Sequence, residues 1–160
     1  MAQYARTPDL LQQVAQLRAR LEVLERRSPP VRDEVPFFPT SSRTMAYDDR
    51  TTFINAWETT IAPRGSLLSI GLSFLGDNVG GVATAGEWQV VAAGVVVGAG
   101  TVPASNVISM PAVTIDLAPY QSAQSLLVLL QTRRTSGATT GGRYGAGGSI
   151  GSSIRYARLS

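Results

Sequence analysis

Three side chains that carry much of protein chemistry are missing from this 160-residue sequence, which has no cysteine, no histidine and no lysine. Without cysteine there is neither a disulfide framework nor a thiolate metal site. Without histidine and lysine there is no Ser-His or Cys-His nucleophile, no Ser-Lys dyad, no Schiff base, no lysine-bearing phosphate loop and no histidine metal site. We therefore expect a protein that is not an enzyme and that uses no metal and no cofactor.

Two catalytic arrangements do not depend on cysteine or lysine and have candidate residues in this sequence, but the context and spacing of those residues support neither. The stretch "GGSIG", residues 147–151, matches G-x-S-x-G with Ser149 at the nucleophile position. It lacks a histidine base and a strand-to-helix context, so we interpret it as a chance match in a Gly/Ser-rich loop. A glycoside hydrolase needs only two carboxylates. However, Glu58, Glu87 and Asp116 lie in or beside predicted strands at spacings that do not pair them.

Charge is unevenly distributed along the chain. All 14 basic residues are arginine, which fits a GC-rich genome, and the net charge is +1 over residues 1–35, −3 over 36–120 and +5 over 121–160. The basic last quarter lacks a recognition helix and an aromatic RNA-binding pattern, so we interpret it as a solvated face and expect no nucleic-acid partner. Since no apolar run reaches bilayer length and Met1 is followed by polar residues, we expect no signal peptide and no membrane partner.

Helical periodicity is confined to the segment "LLQQVAQLRARLEVLERRSPP", residues 10–30. Thr7 and Pro8 suit a helix start, and Pro29 and Pro30 end the helix. Apolar side chains within it recur at the 4-3-4-3 spacing of a coiled-coil seam. The predicted seam residues are Leu10, Val14, Leu17, Leu21 and Leu24.

A helix of about 20 residues is marginal alone in water and needs a partner surface. That surface lies either on the same chain or on sister chains. The following segment contains Pro29, Pro30, Pro36 and Pro39, which favours a stiff extended neck and therefore self-association. Valine at position a with leucine at d favours a dimer, while Leu21 at a also permits a trimer.

After Met45 the hydrophobic period changes to two, which is typical of strands. In residues 66–76 the alternation predicts four core side chains, Leu68, Ile70, Leu72 and Phe74. A second alternation predicts that Val113, Ile115 and Leu117 lie opposite Thr114 and Asp116. Residues 50–63 are expected to carry Phe53, Trp57 and Ile61 on one side, and Trp57 and Trp88 are expected in the core.

Further strands are expected at "EWQVVAAGVVVGAG", "SLLVLLQTRR" and "SSIRYARLS", the second of which also fits a helix. Regularly spaced strands predict a mainly β fold, an antiparallel β-sandwich or jelly roll with an N-terminal helical coiled-coil segment. We expect a helix in 1–27, a proline-rich neck in 28–45 and a β head in 46–160. Within the long loop 136–153, Arg143 and Tyr144 form the candidate surface-binding loop.

A short coiled coil, a proline-rich neck and a compact β head together resemble the fibre and spike proteins of tailed bacteriophages. The stretches "APRGSLLSIGLSFLG" and "IDLAPYQSAQSLLVLLQTRR" are similar to the strand pattern of jelly-roll heads in virion appendages, in which Asp116, Leu117 and Tyr120 lie at turns. The resemblance implies a homotrimeric structural virion protein, a fibre, spike or decoration protein that is assembled in the host cytoplasm. Its partners would be other virion proteins, with a host-surface glycan as a candidate. The alternative is a carbohydrate-binding sandwich outside any virion.

Overall fold

The computed structural model describes residues 10–27, 33–40, 46–79, 82–105, 107–137 and 148–160. The chain divides into two compact units, Met1–Val31 and Arg32–Ser160. The first contains the helix α1 (Leu10–Arg27), and the second is built of antiparallel strands. The prediction of a mainly β chain with one short α-helix is therefore confirmed for the described residues.

Helix α1 begins at Leu10 and ends at Arg27, directly before the predicted proline stop. Its described side chains, those of residues 13–21, are all exposed, including the apolar ones. No helix in the described ranges is long and apolar enough to cross a bilayer.

Twelve strands follow within the described residues. They are β1 (Asp33–Glu34), β2 (Phe38–Pro39), β3 (Ala46–Asp48), β4 (Ile54–Ile61), β5 (Leu67–Gly76), β6 (Asn78–Val79), β7 (Val82–Ala83), β8 (Ala85–Ala92), β9 (Val95–Val102), β10 (Ala112–Asp116), β11 (Leu126–Ser136) and β12 (Ile150–Leu159). A 3-10 helix, Ala118–Tyr120, separates β10 from β11.

The first sheet has the strand order β1–β12–β5–β10, and β3 also pairs with β12. Strand β12 therefore lies inside this sheet, with β5 along one side and β3 and β1 along the two ends of the other. The second sheet has the order β2–β4–β11–β8–β9. Strands β6 and β7 form a separate two-stranded hairpin.

One hydrophobic core is shared by both sheets, because the alternating apolar side chains of each point toward the other. Leu68, Ile70, Leu72 and Phe74 of β5 are all at most 1% exposed, as the alternation predicted. The Phe74 ring stacks on Trp88 of the second sheet, with ring centroids 5.5 Å apart. Trp57 and Trp88 are both buried, which confirms their assignment to the core.

Residues 33–40, which the sequence assigned to a neck spanning 28–45, instead pair with the β unit. Strand β1 pairs with β12, and β2 pairs with β4. Val35 is buried in the core, and its N–H donates to the carbonyl of Ala157. The Thr59 hydroxyl donates to the carbonyl of Pro36 at 2.7 Å. Residues 33–40 therefore belong to the compact unit Arg32–Ser160, while 28–32 and 41–45 lie outside the described residues.

The segment predicted as one strand near residues 87–100 is a hairpin. Strands β8 and β9 are joined by Ala93 and Gly94, both with positive φ. Strand β8 lies in the sheet interior and β9 at its edge. The segment that fitted either a strand or a helix is strand β11, at the centre of the second sheet.

Candidate functional site

The predicted helix seam is exposed where its side chains are described. Val14 is 42% exposed, Leu17 65% and Leu21 60%. The side chains of Leu10 and Leu24 lie outside the described residues. An exposed apolar stripe on a short helix is unusual for a monomer, because such a helix gains most of its stability from burying that stripe.

The candidate surface-binding loop, with Arg143 and Tyr144, lies outside the described residues. Ser149, at the predicted nucleophile position, is only 3% exposed, and its carbonyl accepts from the N–H of Asp77.

The carboxylates are dispersed over the β unit. Asp116 accepts from the backbone N–H of Ala118, at the start of the 3-10 helix. Asp48 is 4% exposed, and burial raises the pKa of its carboxyl against the opposing effect of Arg50. In the described ranges no group of three or more His, Cys, Asp or Glu side chains is placed to hold a metal ion.

The outer side of the second sheet carries a set of polar side chains joined by hydrogen bonds across three strands. Directly paired residues of neighbouring strands point to the same side of a sheet, so the register defines rows across it. The five strands together form three such rows, which we call the apolar, amide and charged rows. The apolar row also includes one carboxylate, Glu58. The apolar row is Phe38, Glu58, Leu129, Val91 and Val96; the amide row is Asn55, Gln131, Gln89 and Ala99; the charged row is Arg133, Glu87 and Thr101.

Hydrogen bonds join the three amides of the amide row into a continuous ladder. Gln89 Nε2 donates to Gln131 Oε1 at 2.5 Å, and Gln131 Nε2 donates to Asn55 Oδ1 at 2.8 Å. We call Asn55, Gln131 and Gln89 the amide ladder. Asn55 is exposed and the two glutamines are half-buried, so the ladder is ordered and accessible to solvent.

A salt bridge between Arg133 and Glu87 lies on one side of the amide ladder. Arg133 Nε donates to Glu87 Oε2 at 2.7 Å, and the Arg133 guanidinium lies 4.6 Å from the centroid of the Phe53 ring. Both charged side chains are a little over one-third exposed. The contribution of this pair to stability is therefore small, but the pair and the ring fix the orientation of Arg133.

On the other side of the ladder the sheet opens into a cleft of about 560 Å³ between the β1–β2 segment and β4. Phe38, Glu58 and Thr60 line it together with two further carboxylates, Asp33 and Glu34. Phe38 is 61% exposed and lies directly across from Glu58. Among the described lining residues, Arg64 is the basic one.

Sequence reasoning did not identify this face. Its amides come from β4, β8 and β11, and strand pairing cannot be determined from one sequence. The available signal was Gln89, a polar residue between Trp88 and Val90, which marks the outward position of an otherwise apolar strand. No protein-family model matches the chain, and comparison with curated proteins gave no match.

Proposed function

We propose that the chain is a non-enzymatic structural protein of a virion, of the fibre, spike or decoration type. Copies are held together by the N-terminal helix, and the β unit is a jelly-roll head that faces outward. The exposed stripe of Val14, Leu17 and Leu21 carries the proposal, because it gives the helix an apolar surface suited to sister chains.

The strand order supports the jelly-roll assignment. A jelly roll folds a long antiparallel hairpin over on itself, so that its first strand lies beside its last in one sheet and its second beside its seventh in the other. If β1, β2 and the β6–β7 hairpin are set aside, eight strands remain. Of these, β3 lies beside β12 and β4 beside β11, followed by β5 and β10 in the first sheet and by β8 and β9 in the second.

A trimer is proposed because virion appendages with this layout, which the sequence resembles, are trimers. Three heads on one helical bundle would convert weak contacts with a repetitive host surface into strong attachment through avidity. Such a protein needs no deep pocket, which suits a β unit whose main polar feature is an open sheet face.

The oligomer is tested with two matched substitutions in the full chain. Leu17→Asp places a charge in the predicted seam, whereas Ala19→Asp places the same charge on the opposite side of the helix. We expect sedimentation equilibrium to give a trimer for the wild type and for Ala19→Asp, and a smaller species for Leu17→Asp. A wild-type monomer, or equal behaviour of both variants, contradicts the helix-mediated assembly.

The virion assignment has a separate test. Immunogold labelling of particles released from cells that carry the gene should decorate a fixed position on the capsid or tail. Particles that remain unlabelled while the protein is abundant in the lysate would contradict it.

A further inference from the structure

We propose that the outer face of the second sheet binds a neutral oligosaccharide across the amide ladder, between the Glu87–Arg133 pair and Phe38. This inference rests on the proposed function, because it assigns a site and a ligand class to the contact with the host surface. It moves that contact from the loop with Arg143 and Tyr144 to the sheet.

The amide ladder retains hydrogen-bonding capacity that protein groups do not use. Its two internal bonds leave the N–H groups of Asn55 and the carbonyl oxygen of Gln89 without a further protein partner among the described residues. Each glutamine also keeps a second N–H. Donors and acceptors in alternation, already fixed in orientation, suit a ligand whose hydroxyl groups both donate and accept.

The charged residues on and beside this face favour a neutral ligand over an anionic one. Arg133 is the basic residue of the three rows, and it is already engaged by Glu87 and by the Phe53 ring. Next to the ladder lie three carboxylates, Glu58, Asp33 and Glu34, and the basic groups described beside them are Arg64 and Arg158, which lies 3.7 Å from Glu34. A phosphate- or carboxylate-rich polymer would therefore meet repulsion here, although the whole chain carries a net charge of +3.

The shape of the face also suits a chain of sugar rings. At one end the exposed Phe38 ring offers an apolar surface for the C–H side of a pyranose, beside a cleft of about 560 Å³. At the other end the ladder meets the small, exposed side chains Ala99 and Thr101 of edge strand β9. Among the described residues, this end of the face therefore consists of small side chains over which an extended oligosaccharide can pass.

The test uses the full-length protein on a printed array of neutral oligosaccharides (glucans, mannans, galactans and N-acetylglucosamine oligomers) beside sialylated and uronic-acid-containing ones. The neutral oligosaccharide that gives the strongest signal is then titrated by isothermal calorimetry. Gln131→Met removes the centre of the ladder at nearly constant length, and Asn55→Ala removes its exposed end. Thr114→Ala, an exposed position on the other sheet, is the matched control.

We expect binding to a neutral oligosaccharide that weakens about tenfold in Gln131→Met and severalfold in Asn55→Ala, and that is unchanged in Thr114→Ala. Circular dichroism reports whether each variant folds. Because Asn55 is exposed, its variant decides the matter if Gln131→Met does not fold. Binding only to acidic glycans, no binding to any neutral one, or equal binding by Asn55→Ala and Thr114→Ala overturns the proposal.

Hydroxyl-radical footprinting of the wild-type assembly tests whether a second copy of the chain covers this face. Protection of Phe38 and Leu129 in the absence of sugar would show that a second copy covers this face, and would overturn the glycan site. The two proposals fail separately, since calorimetry reports sugar binding per chain whatever the oligomeric state, and it can be repeated on the smaller species expected for Leu17→Asp. A monomeric wild type that binds a neutral sugar contradicts only the helix-mediated oligomer, whereas an oligomer that binds none contradicts only the glycan site.

Discussion

The indole N–H of Trp57, in the second sheet, donates to both the carbonyl oxygen and the hydroxyl oxygen of Ser152, in the first, at 3.2 and 3.1 Å. Both residues are buried, so this polar contact joins the two sheets inside the core. Because a hydrogen bond in an apolar interior is directional, it constrains how the sheets are aligned as well as how closely they pack.

Removing this contact should destabilise the β unit. We expect Trp57→Phe to lower the free energy of unfolding by about 2–3 kcal/mol, through lost ring volume and a lost hydrogen bond, and Ser152→Ala by about 1 kcal/mol. In urea denaturation the double variant should cost less than the two single losses combined, because both variants remove the bond from Trp57 to the Ser152 hydroxyl, whereas only Trp57→Phe removes the bond to the Ser152 carbonyl. Fully additive losses would show that the bond contributes nothing.

The length of an N-terminal deletion should decide whether the β unit stays stable. Removal of residues 1–31 leaves β1 and β2 in place, and should change the intrinsic stability of the β unit by less than about 0.5 kcal/mol. Removal of residues 1–40 also deletes Val35 and the Pro36 carbonyl that accepts from Thr59, and should cost about 3 kcal/mol. The urea midpoints of the two proteins, measured at equal concentration, give the difference in stability. Equal midpoints would show that residues 32–40 do not stabilise the β unit.

Protonation of the Asp48 carboxyl at low pH should stabilise the folded state. Burial raises the pKa of this carboxyl, while the backbone N–H and the guanidinium of Arg50 lower it to a smaller extent. The folded chain therefore prefers the protonated form more than the unfolded chain does. The contribution of Asp48 to stability is full below the ordinary carboxyl pKa, and it is lost as the pH rises through the raised value.

Asp48→Asn should consequently be more stable than the wild type at neutral pH, and its advantage should shrink as the pH falls toward about 4. Chemical denaturation at several pH values measures this. Asp33→Asn, which removes the same charge at an exposed position, serves as the control. An advantage that is constant with pH would rule out titration of Asp48 as its source.

Gly76 ends strand β5 where the chain leaves no room for a side chain. A Cβ there would lie 2.0 Å from the backbone oxygen of Thr84, and backbone cannot move aside as a side chain can. We expect Gly76→Ala to cost about 3 kcal/mol by thermal unfolding. Gly94→Ala, at a φ of +82° with nothing within 4 Å, should cost only about 1 kcal/mol from backbone strain.

Local alternation was enough to predict the strands with one polar face. Val113, Ile115 and Leu117 are buried, and Thr114 and Asp116 are exposed, as their spacing indicated. The alternation failed at Phe53, which was expected on the same side of the strand as Trp57. The pairing of β4 with β11 shifts register between Leu130 and Gln131, and this bulge places Phe53 on the outer face under Arg133.

The amide ladder could not be predicted for a different reason. Asn55, Gln89 and Gln131 are each unremarkable in their own strands, and only the non-local order β4–β11–β8 brings them together. Likewise the segment 88–102 contains only isolated glycines, Gly94, Gly98 and Gly100, and no Asn-Gly or Asp-Gly pair to mark a turn, so the hairpin of β8 and β9 was not recognised. What the sequence did not reveal was therefore pairing and not strand propensity.

The interior position of β12 determines the order in which the β unit can form during translation. Strands β1, β3 and β5 all pair with β12, although they are made long before it. A nascent chain that has not yet reached residue 150 can pair β5 with β10, but β1 and β3 still lack their partner in this sheet, while the helix is already synthesised. Under the helix-mediated assembly proposed above, neighbouring chains on one message would meet through their helices first and complete their β units afterwards.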